Sequence, residues 1–258
     1  MNILRFRTHP DEEARWGWHT DGRVGAVDGS PFEQFRREEA AIPIEDVELL
    51  PPVQPGKIIC VGRNYPSHAA EMQRDVPDIP LLFLKPPGSV IGPGAPIRLP
   101  PQSKQVEHEA ELALVIGMRG RWIKPEHVNE HIFGYTIAND VTARDLQRID
   151  SQWTRSKGFD TFCPLGPWIE TEFDPADAMI TCTVSGQMRQ MGSTRDMVFT
   201  TRKLVAFISS VMTLEPGDVI LSGTPAGVGP LHEGDEVRIE IENLGVLTNP
   251  VRTETRGG

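Results

Sequence analysis

Prolines and glycines interrupt this chain so often that few long helices are expected. The 258 residues include 23 prolines and 24 glycines, and both residue types disfavour the interiors of helices and sheets. Between them lie short apolar runs of strand length, while helical spacing is confined to a few segments. The pattern predicts an α+β, β-rich fold of many short strands and few helices, without regular βαβ alternation.

The short runs place the elements and suggest two domains. Strands are predicted at residues 2–8, 15–20, 23–27, 57–61, 81–85, 112–116, 133–138, 179–184, 188–191, 219–222 and 237–241. Helices are predicted near Pro66, from a capping-box pattern at Thr142 to about Ile149, and over 200–213. The proline-rich stretch 51–56 is typical of a linker. We therefore expect a small β-rich N-terminal domain at residues 1–51 and a main domain at residues 52–258.

Composition limits the binding partners and the cellular compartment that can be expected for this chain. The formal net charge of −10 argues against a nucleic-acid surface, which normally shows clustered positive charge. No apolar run is long enough for a transmembrane helix, and the first residues lack a secretory signal. We therefore expect a cytoplasmic protein without nucleic-acid or membrane partners. The three cysteines show no metal or redox spacing, so buried reduced thiols are expected at Cys60, Cys163 and Cys182.

An acidic segment that runs directly into an apolar strand is the first candidate site. Side chains alternate along a strand, so Glu109 and Glu111 should share one face and His108 should point away from them. Asp140 follows another predicted strand, at a strand-to-helix junction. Neighbouring carboxylates repel unless a proton or cation lies between them. Carboxylates without cysteine or histidine ligands favour a hard cation such as Mg²⁺, Mn²⁺ or Ca²⁺.

A histidine and a carboxylate three residues apart form a second candidate. His68 and Glu71 would share one face of a helix. In such a pair the carboxylate can orient the imidazole, which then removes a proton from water. The simpler interpretation is an exposed helix on which both side chains are merely solvated.

Further polar residues allow either a functional or a structural interpretation. Beside the acidic segment Arg144 could bind a substrate carboxylate and Gln147 a carbonyl or water, and the alternative is a surface salt bridge. Lys157 is equally consistent with an ordinary surface lysine, and Lys85 stands at a strand end, where sites collect. Thr224 lies in a glycine-rich segment that follows a strand and matches no nucleotide-binding pattern. A plain turn therefore remains the alternative there.

Several of these segments together resemble the fumarylacetoacetate hydrolase family over about residues 57–251. They are Val61-Gly-Arg-Asn-Tyr65 with His68 and Glu71, Phe83-Leu-Lys-Pro86, His108-Glu-Ala-Glu-Leu112, Asn139-Asp-Val-Thr-Ala-Arg-Asp-Leu-Gln147, Lys157-Gly-Phe159 and Ser222-Gly-Thr-Pro-Ala-Gly-Val-Gly229. The first fifty residues resemble the short N-terminal extension of bacterial members. The resemblance implies a fumarylacetoacetase C-terminal-like mixed β-roll with short helices, usually in a homodimer.

The resemblance also implies roles for nine residues of this chain. It implies Mg²⁺ or Mn²⁺ as cofactor, with three ligands: Glu109, Glu111 and Asp140. It implies three catalytic residues, which activate water and stabilise developing negative charge: His68, Glu71 and Lys157. It implies three residues around the substrate: Arg144, Gln147 and Thr224.

The resulting expectation is a divalent-metal-dependent hydrolase or decarboxylase. It would cleave a C–C bond in a small-molecule 2-oxo acid such as an acylpyruvate or oxaloacetate. One alternative is an isomerase of 2-hydroxyhepta-2,4-diene-1,7-dioate or a similar dienol in aromatic catabolism. An alternative of another class is a catalytically silent metal-binding protein.

Overall fold

A computed structural model describes residues 1–255 and confirms the β-rich α+β class. The strands are β1 (Asn2–Arg7), β2 (Arg15–Thr20), β3 (Arg23–Gly29), β4 (Phe35–Arg37), β5 (Ile42–Pro43), β6 (Glu48–Leu50), β7 (Ile58–Gly62), β8 (Leu81–Lys85), β9 (Val90–Ile91), β10 (Ile97–Leu99), β11 (Val106–His108), β12 (Ala110–Ile116), β13 (Ile132–Asn139), β14 (Thr142–Ala143), β15 (Cys163–Glu170), β16 (Met179–Val184), β17 (Gln187–Ser193), β18 (Val219–Leu221), β19 (Gly229–Pro230), β20 (Glu236–Ile241) and β21 (Gly245–Thr253).

The helices are short. The α-helices are α1 (Pro66–Glu71), α2 (Val128–His131), α3 (Arg144–Ile149), α4 (Thr154–Lys157) and α5 (Thr201–Val211). Single 3₁₀ turns lie at Ile44–Asp46, Pro87–Ser89, Pro125–His127 and Thr194–Asp196. Within residues 1–255, therefore, no helix has the length and apolar character needed to cross a membrane.

Three sheets organise the strands. The largest has thirteen strands, and its main path runs β4-β3-β2-β1-β15-β13-β12-β18-β7-β8. A five-stranded sheet has the order β10-β21-β20-β16-β17, and a small sheet has the order β14-β11-β19. Strand β1 pairs with β15, with Asn2 opposite Glu170, so the N-terminal strands extend the main sheet. The proposed domain boundary at residues 51 and 52 stays a prediction.

Strand β12 lies at the centre of the packing because both of its faces are buried. Leu112, Leu114 and Ile116 point into a core shared with the five-stranded sheet and α5. Ala113 and Val115 point into a second core on the opposite face. A strand covered on both faces reads as a continuous apolar run, which explains the uninterrupted hydrophobicity after the acidic segment.

The predicted strands are confirmed to within about two residues at each end, and some match completely, such as β2, β8 and β16. The helix predicted near Pro66 and the helix predicted over 200–213 are also confirmed, as α1 and α5. The prediction of a capping box at Thr142 is wrong. Thr142 belongs to a two-residue strand and its hydroxyl donates to the Asp140 carbonyl, so α3 begins at Arg144 without a side-chain cap. Strand β15 was not predicted, because it contains Pro164 and Pro167, which normally disfavour strands.

Candidate active site

The three predicted metal ligands converge at one buried point. Glu109, Glu111 and Asp140 each offer a carboxylate oxygen, and these oxygens lie within 4.8 Å of one another. Strands β12 and β13 pair antiparallel with Ala110 opposite Asn139, and the Asp140 N–H donates to the Glu109 carbonyl at 2.9 Å. The register therefore brings together two acidic segments that are separated by about thirty residues in sequence.

Two buried lysines neutralise part of this charge. The Lys157 ammonium donates to Glu109 Oε2 at 2.9 Å and to Asp140 Oδ2 at 2.7 Å. The Lys85 ammonium donates to Asp140 Oδ1 at 2.7 Å and to the Val141 carbonyl at 3.1 Å. Both lysines are at most 2% exposed. The interpretation of Lys157 as a surface lysine is therefore wrong, and Lys85 belongs to the site.

Arg144 forms a second buried link between acidic residues. Its guanidinium donates to Glu107 Oε2 at 2.7 Å, to Glu109 Oε1 at 2.5 Å and to Gln147 Oε1 at 2.6 Å. Arg144 is only 2% exposed, so the alternative of a surface salt bridge is wrong. The planar guanidinium holds two carboxylates and an amide in fixed positions.

The two glutamates of the triad have opposite electrostatic environments. Burial alone would raise the pKa of Glu109, but the charges of Lys157 and Arg144 hold that pKa well below its usual range. Burial, together with the charges of Asp140 and Glu109, raises the pKa of Glu111 well above its usual value. Its Oε2 accepts a hydrogen bond from the Gly223 N–H at 2.7 Å. Among the described residues, 1–255, Glu111 is the one carboxylate of the triad that forms no ion pair with a lysine or arginine.

A divalent cation would supply the missing positive charge. Mg²⁺ and Mn²⁺ prefer oxygen ligands, and carboxylates from separate segments are typical of their sites. Glu109, Glu111 and Asp140 provide only oxygen donors and are buried together. The donor set fits such a cation.

His68 and Glu71 face the same region from helix α1. Glu71 Oε2 lies 3.2 Å from His68 Nδ1, and Glu71 Oε1 accepts a hydrogen bond from the Gly227 N–H at 3.0 Å. The His68 side chain is 8% exposed, so the interpretation as a solvated helix face is wrong for the histidine. The contact with Glu71 holds Nδ1, and within residues 1–255 Nε2 has no hydrogen-bond partner.

The loop after β18 completes the arrangement. The Thr224 hydroxyl donates to the Ala110 carbonyl at 2.8 Å and accepts a hydrogen bond from Gln190 Nε2 at 2.8 Å. Because the hydroxyl hydrogen is already used, this oxygen is left only as an acceptor. Ala110 lies between two predicted ligands, so Thr224 also supports their strand.

One cavity of about 550 Å³ brings eight of the nine predicted residues together. They are His68, Glu109, Glu111, Asp140, Arg144, Gln147, Lys157 and Thr224. The ninth, Glu71, contacts His68 rather than the cavity. Three further residues of the network were not nominated as site residues from the sequence: Lys85, Glu107 and Gln190.

Two expectations about neighbouring residues are confirmed. His108 points away from the glutamates, and its Nδ1 lies 3.0 Å from Gln190 Oε1. Cys60, Cys163 and Cys182 are free and buried. Burial raises the pKa of Cys163 to about 12, which leaves this thiol without nucleophilic character at neutral pH.

Comparison with known proteins covers nearly the whole chain. A profile for the fumarylacetoacetate (FAA) hydrolase C-terminal domain matches residues 57–252, and a profile described as Rv2993c-like, N-terminal, matches residues 1–52. Oxaloacetate tautomerase Fahd2a, mitochondrial, of Rattus norvegicus is 47% identical, over 97% of this chain and 91% of its own length.

Two solved structures share the fold. The 2-hydroxyhepta-2,4-diene-1,7-dioate isomerase of Mycobacterium marinum superposes with a TM-score of 0.90 at 42% identity, over 99% of this chain and 100% of that one. Maleylpyruvate hydrolase of Sphingobium sp. SYK-6, in complex with manganese(II) and pyruvate, gives a TM-score of 0.82 at 30% identity. That match covers 99% of this chain and 100% of the other.

Proposed function

The chain belongs to the fumarylacetoacetate hydrolase family, and from this we propose that it is a metal-dependent enzyme that cleaves a C–C bond in a 2-oxo acid such as an acylpyruvate or oxaloacetate. The observation that carries the proposal is the shared cavity, where a buried carboxylate triad, Lys157 and a carboxylate-oriented His68 meet. This arrangement provides both a base and positive charge for an enolate.

The proposed cofactor is Mg²⁺ or Mn²⁺, held by Glu109, Glu111 and Asp140. When bound, such a cation supplies Lewis-acid polarisation of the substrate's keto and carboxylate oxygens. The related maleylpyruvate hydrolase that holds manganese(II) and pyruvate supports this choice. The identity of the metal and the ligand roles stay predictions.

His68 is the proposed base. With an acylpyruvate, Glu71 holds Nδ1 and Nε2 can take a proton from a water molecule that attacks the distal carbonyl carbon. A new C–O bond forms as the adjacent C–C bond breaks, and the electron pair of that bond becomes an enolate. The proton on Nε2 then returns to the enolate carbon, which gives the 2-oxo acid product. With oxaloacetate no water is added: the C–C bond to the distal carboxylate breaks, CO₂ leaves, and the same enolate is then protonated at carbon.

Lys157 and the polar residues around the cavity would hold the reacting groups. The Lys157 ammonium is buried, and burial tends to lower its pKa, but Asp140 and Glu109 keep the pKa raised. It therefore stays charged and stabilises negative charge on the enolate. Arg144 is occupied by carboxylates, so it positions the site. Within residues 1–255 the Gln147 amide N–H₂ donates no hydrogen bond, so it can donate one to the substrate. Thr224 would contact a substrate oxygen through its backbone N–H, because its hydroxyl already donates to Ala110.

A second candidate is tautomerisation or isomerisation of a 2-oxo acid or dienol. The 47% identical oxaloacetate tautomerase and the 42% identical dienedioate isomerase favour it. The same enolate would form without attack by water, and His68 would only move a proton between carbon and oxygen. A silent metal-binding protein is the third candidate, although the residues proposed for catalysis are all present in the cavity or beside it.

A substrate panel with a matched variant pair separates these candidates. Acylpyruvates, oxaloacetate and a dienol dioate are assayed with and without Mn²⁺, for C–C cleavage and for enol–keto conversion. His68→Gln is expected to lower cleavage by about 10²–10⁴-fold while Mn²⁺ still binds. The control is His127→Gln, because His127 has the same i,i+3 carboxylate contact, with Glu130 at 3.0 Å, but is 56% exposed.

Each candidate has its own outcome. If the wild-type protein converts enol to keto forms without giving cleavage products, its proposed function is tautomerisation and not C–C cleavage. Tight Mn²⁺ binding with no turnover of any panel member would leave only the metal-binding candidate. The homodimer and the absence of nucleic-acid and membrane partners stay predictions.

A further inference from the structure

The side chain of Asn64 is completely buried at a point where three segments of the chain meet. Its Oδ1 accepts a hydrogen bond from the Phe199 N–H at 2.7 Å, and its Nδ2 donates to the carbonyls of Phe199 at 3.0 Å and Ser222 at 2.8 Å. The Asn64 carbonyl also accepts from the Val198 N–H at 2.9 Å. One residue therefore joins the segment after β7, the segment before α5 and the loop after β18.

This set of partners suits the amide of asparagine. One acceptor and two donors on a single short side chain satisfy all three backbone groups. Aspartate has the same size, but its carboxylate would face the Phe199 and Ser222 carbonyls without a hydrogen atom to donate. The neighbouring loop is also in close contact, because a Cβ added to Gly223 would lie 2.9 Å from the Asn64 Cβ.

Helix α1, which carries His68 and Glu71, begins two residues after Asn64. It has only six residues, too few to be stable by itself, and among the described residues no side chain caps its N-terminus. At its C-terminal end, Glu71 Oε1 accepts from the Gly227 N–H at 3.0 Å and so ties the helix to the loop after β18. At its N-terminal end, the hydrogen bonds of the Asn64 side chain make the corresponding connection.

The loop after β18 is also attached to β12 by contacts that do not involve Asn64. The Ser222 N–H and hydroxyl both donate to the Leu112 carbonyl, at 3.1 and 2.8 Å. The Gly223 N–H donates to Glu111 Oε2 at 2.7 Å. Loss of the Asn64 amide is therefore expected to displace α1, while the loop and the carboxylates of the triad keep their places.

We propose that Asn64 is a positioning residue, which sets the place of His68 relative to the carboxylate triad by holding the start of α1 against the loop after β18. This rests on the proposed function, in which His68 moves the proton. Because Asn64 is completely buried, it has no surface that a substrate could contact, and it acts through His68. A displacement of about 1 Å at a reacting group can cost about 10²-fold in rate.

The test compares Asn64→Leu with the wild-type protein. Calorimetric titration gives the Kd for Mn²⁺, and steady-state kinetics give kcat and KM for a 2-oxo acid that the wild-type protein turns over. We expect kcat to fall by about 10²-fold, and KM and the Kd for Mn²⁺ to change by about threefold or less. Asn64→Asp is the second variant, because it keeps the size of the side chain and the acceptor for the Phe199 N–H, and it should show the same pattern.

A double-mutant cycle with His68→Gln separates positioning from a general loss of structure. If Asn64 acts through His68, then Asn64→Leu in the His68→Gln protein should lower the remaining kcat by about threefold or less. A residue that only stabilises the fold would lower kcat by the same factor with and without His68.

Asn249→Leu is the control variant. Asn249 is also buried, and its amide likewise donates to two backbone carbonyls, those of Gly92 and Ala95, both at 2.9 Å. This variant should keep the kcat of the wild type. Thermal unfolding verifies that each variant is folded at the assay temperature.

Several results would overturn the proposal. An unchanged kcat in both Asn64 variants, or an equal loss of kcat with and without His68, would remove the role through His68 and leave the proposed function standing. A parallel loss of Mn²⁺ affinity would place the effect at the triad, and failure of both Asn64 variants to fold would assign Asn64 to the stability of the fold. Binding of Mn²⁺ without turnover of any 2-oxo acid by the wild-type protein would remove the proposed function, and the positioning role with it.

Discussion

At the scale of single residues, the two glutamates of the triad depend on the alanine between them. The Ala110 N–H donates to Gln190 Oε1 at 3.0 Å, and its carbonyl accepts from the Thr224 hydroxyl. The Gln190 amide also donates to Thr224 Oγ1 and to the Pro225 carbonyl, both at 2.8 Å. Gln190 is completely buried. One amide from β17 thus holds the backbone that carries Glu109 and Glu111.

We predict that Gln190→Leu weakens Mn²⁺ binding by about 10–100-fold, the usual effect of losing a group that orients metal ligands. The same change leaves the Ala110 N–H without its acceptor, which costs about 1–3 kcal/mol of unfolding free energy. Calorimetric Mn²⁺ titration and urea unfolding measure the two effects separately.

Asn249→Leu is the matched control for this change. Asn249 is also buried, and its amide donates to the carbonyls of Gly92 and Ala95 at 2.9 Å, away from the triad. The Asn249→Leu variant should lose a comparable amount of unfolding free energy and keep the Mn²⁺ affinity of the wild type. Equal Mn²⁺ affinities in the two variants would show that Gln190 has no positioning role.

The sequence revealed the carboxylates but not this amide, for a physical reason. Strand alternation from the exposed Met188 would place Gln190 on the outer face as well. In the structure Thr183 pairs with Met188 and Cys182 pairs with Gln190, so Arg189 is skipped. This bulge turns Gln190 inward. Local hydrophobic patterns do not reveal a bulge, so Gln190 was not predicted to face inward. The two glutamates were predicted to share a face because Glu109 and Glu111 are two residues apart, which requires only regular strand geometry.

At the scale of elements, a parallel pair of strands leads into helix α1, which carries His68, and into the loop that carries Thr224. Strands β7 and β18 pair from Ile58 opposite Val219 onwards. At their start, Asp218 accepts hydrogen bonds from the Lys57 N–H at 3.2 Å and the Glu215 N–H at 2.7 Å, and it pairs with the Lys57 ammonium. The sequence predicted both strands, but not that they are neighbours, because their pairing joins residues about 160 positions apart.

We predict that Asp218→Ala lowers the unfolding free energy by about 2–4 kcal/mol. Asp218 is 1% exposed, so its loss leaves two backbone N–H groups and a half-buried ammonium without their partner. Urea unfolding measures the change.

The control for this change is Glu240→Ala. Glu240 pairs with Arg238 at 2.7 Å, but both side chains are more than 40% exposed. Exposed pairs contribute about 0–1 kcal/mol. If Asp218→Ala were no more destabilising than Glu240→Ala, the contacts of Asp218 at the start of β7 and β18 would not stabilise the fold.

At the scale of the whole molecule, segments that are distant in sequence meet in one sheet, and the sequence did not predict how these segments pair. The β-rich class followed from short strands and frequent breaks, and eleven of the twenty-one strands were predicted. The order of the strands did not follow, because neighbours such as β1 and β15 lie more than 160 residues apart. The cluster of carboxylates was nevertheless predicted. Carboxylates that lie close together repel and need a cation or a proton between them, whatever the order of the strands.

This requirement leads to the prediction that Mn²⁺ stabilises the entire fold. A cation that binds the native state alone adds about 2.7 kcal/mol when its concentration is 100 times its Kd. For a chain of this size that raises Tm by about 5–10 °C. Thermal unfolding in Mn²⁺ and in EDTA measures the shift.

Glu111→Gln isolates the origin of that shift. Glu111 is buried beside two like charges, and these raise its pKa. The amide removes repulsion and one anionic ligand, so this variant should be at least as stable as wild type in EDTA and should gain little from Mn²⁺. Glu126→Gln, at an exposed 3₁₀ turn, should keep the full shift. A full Mn²⁺ shift in Glu111→Gln would mean that the cation stabilises the protein from another site, and that the triad does not hold it.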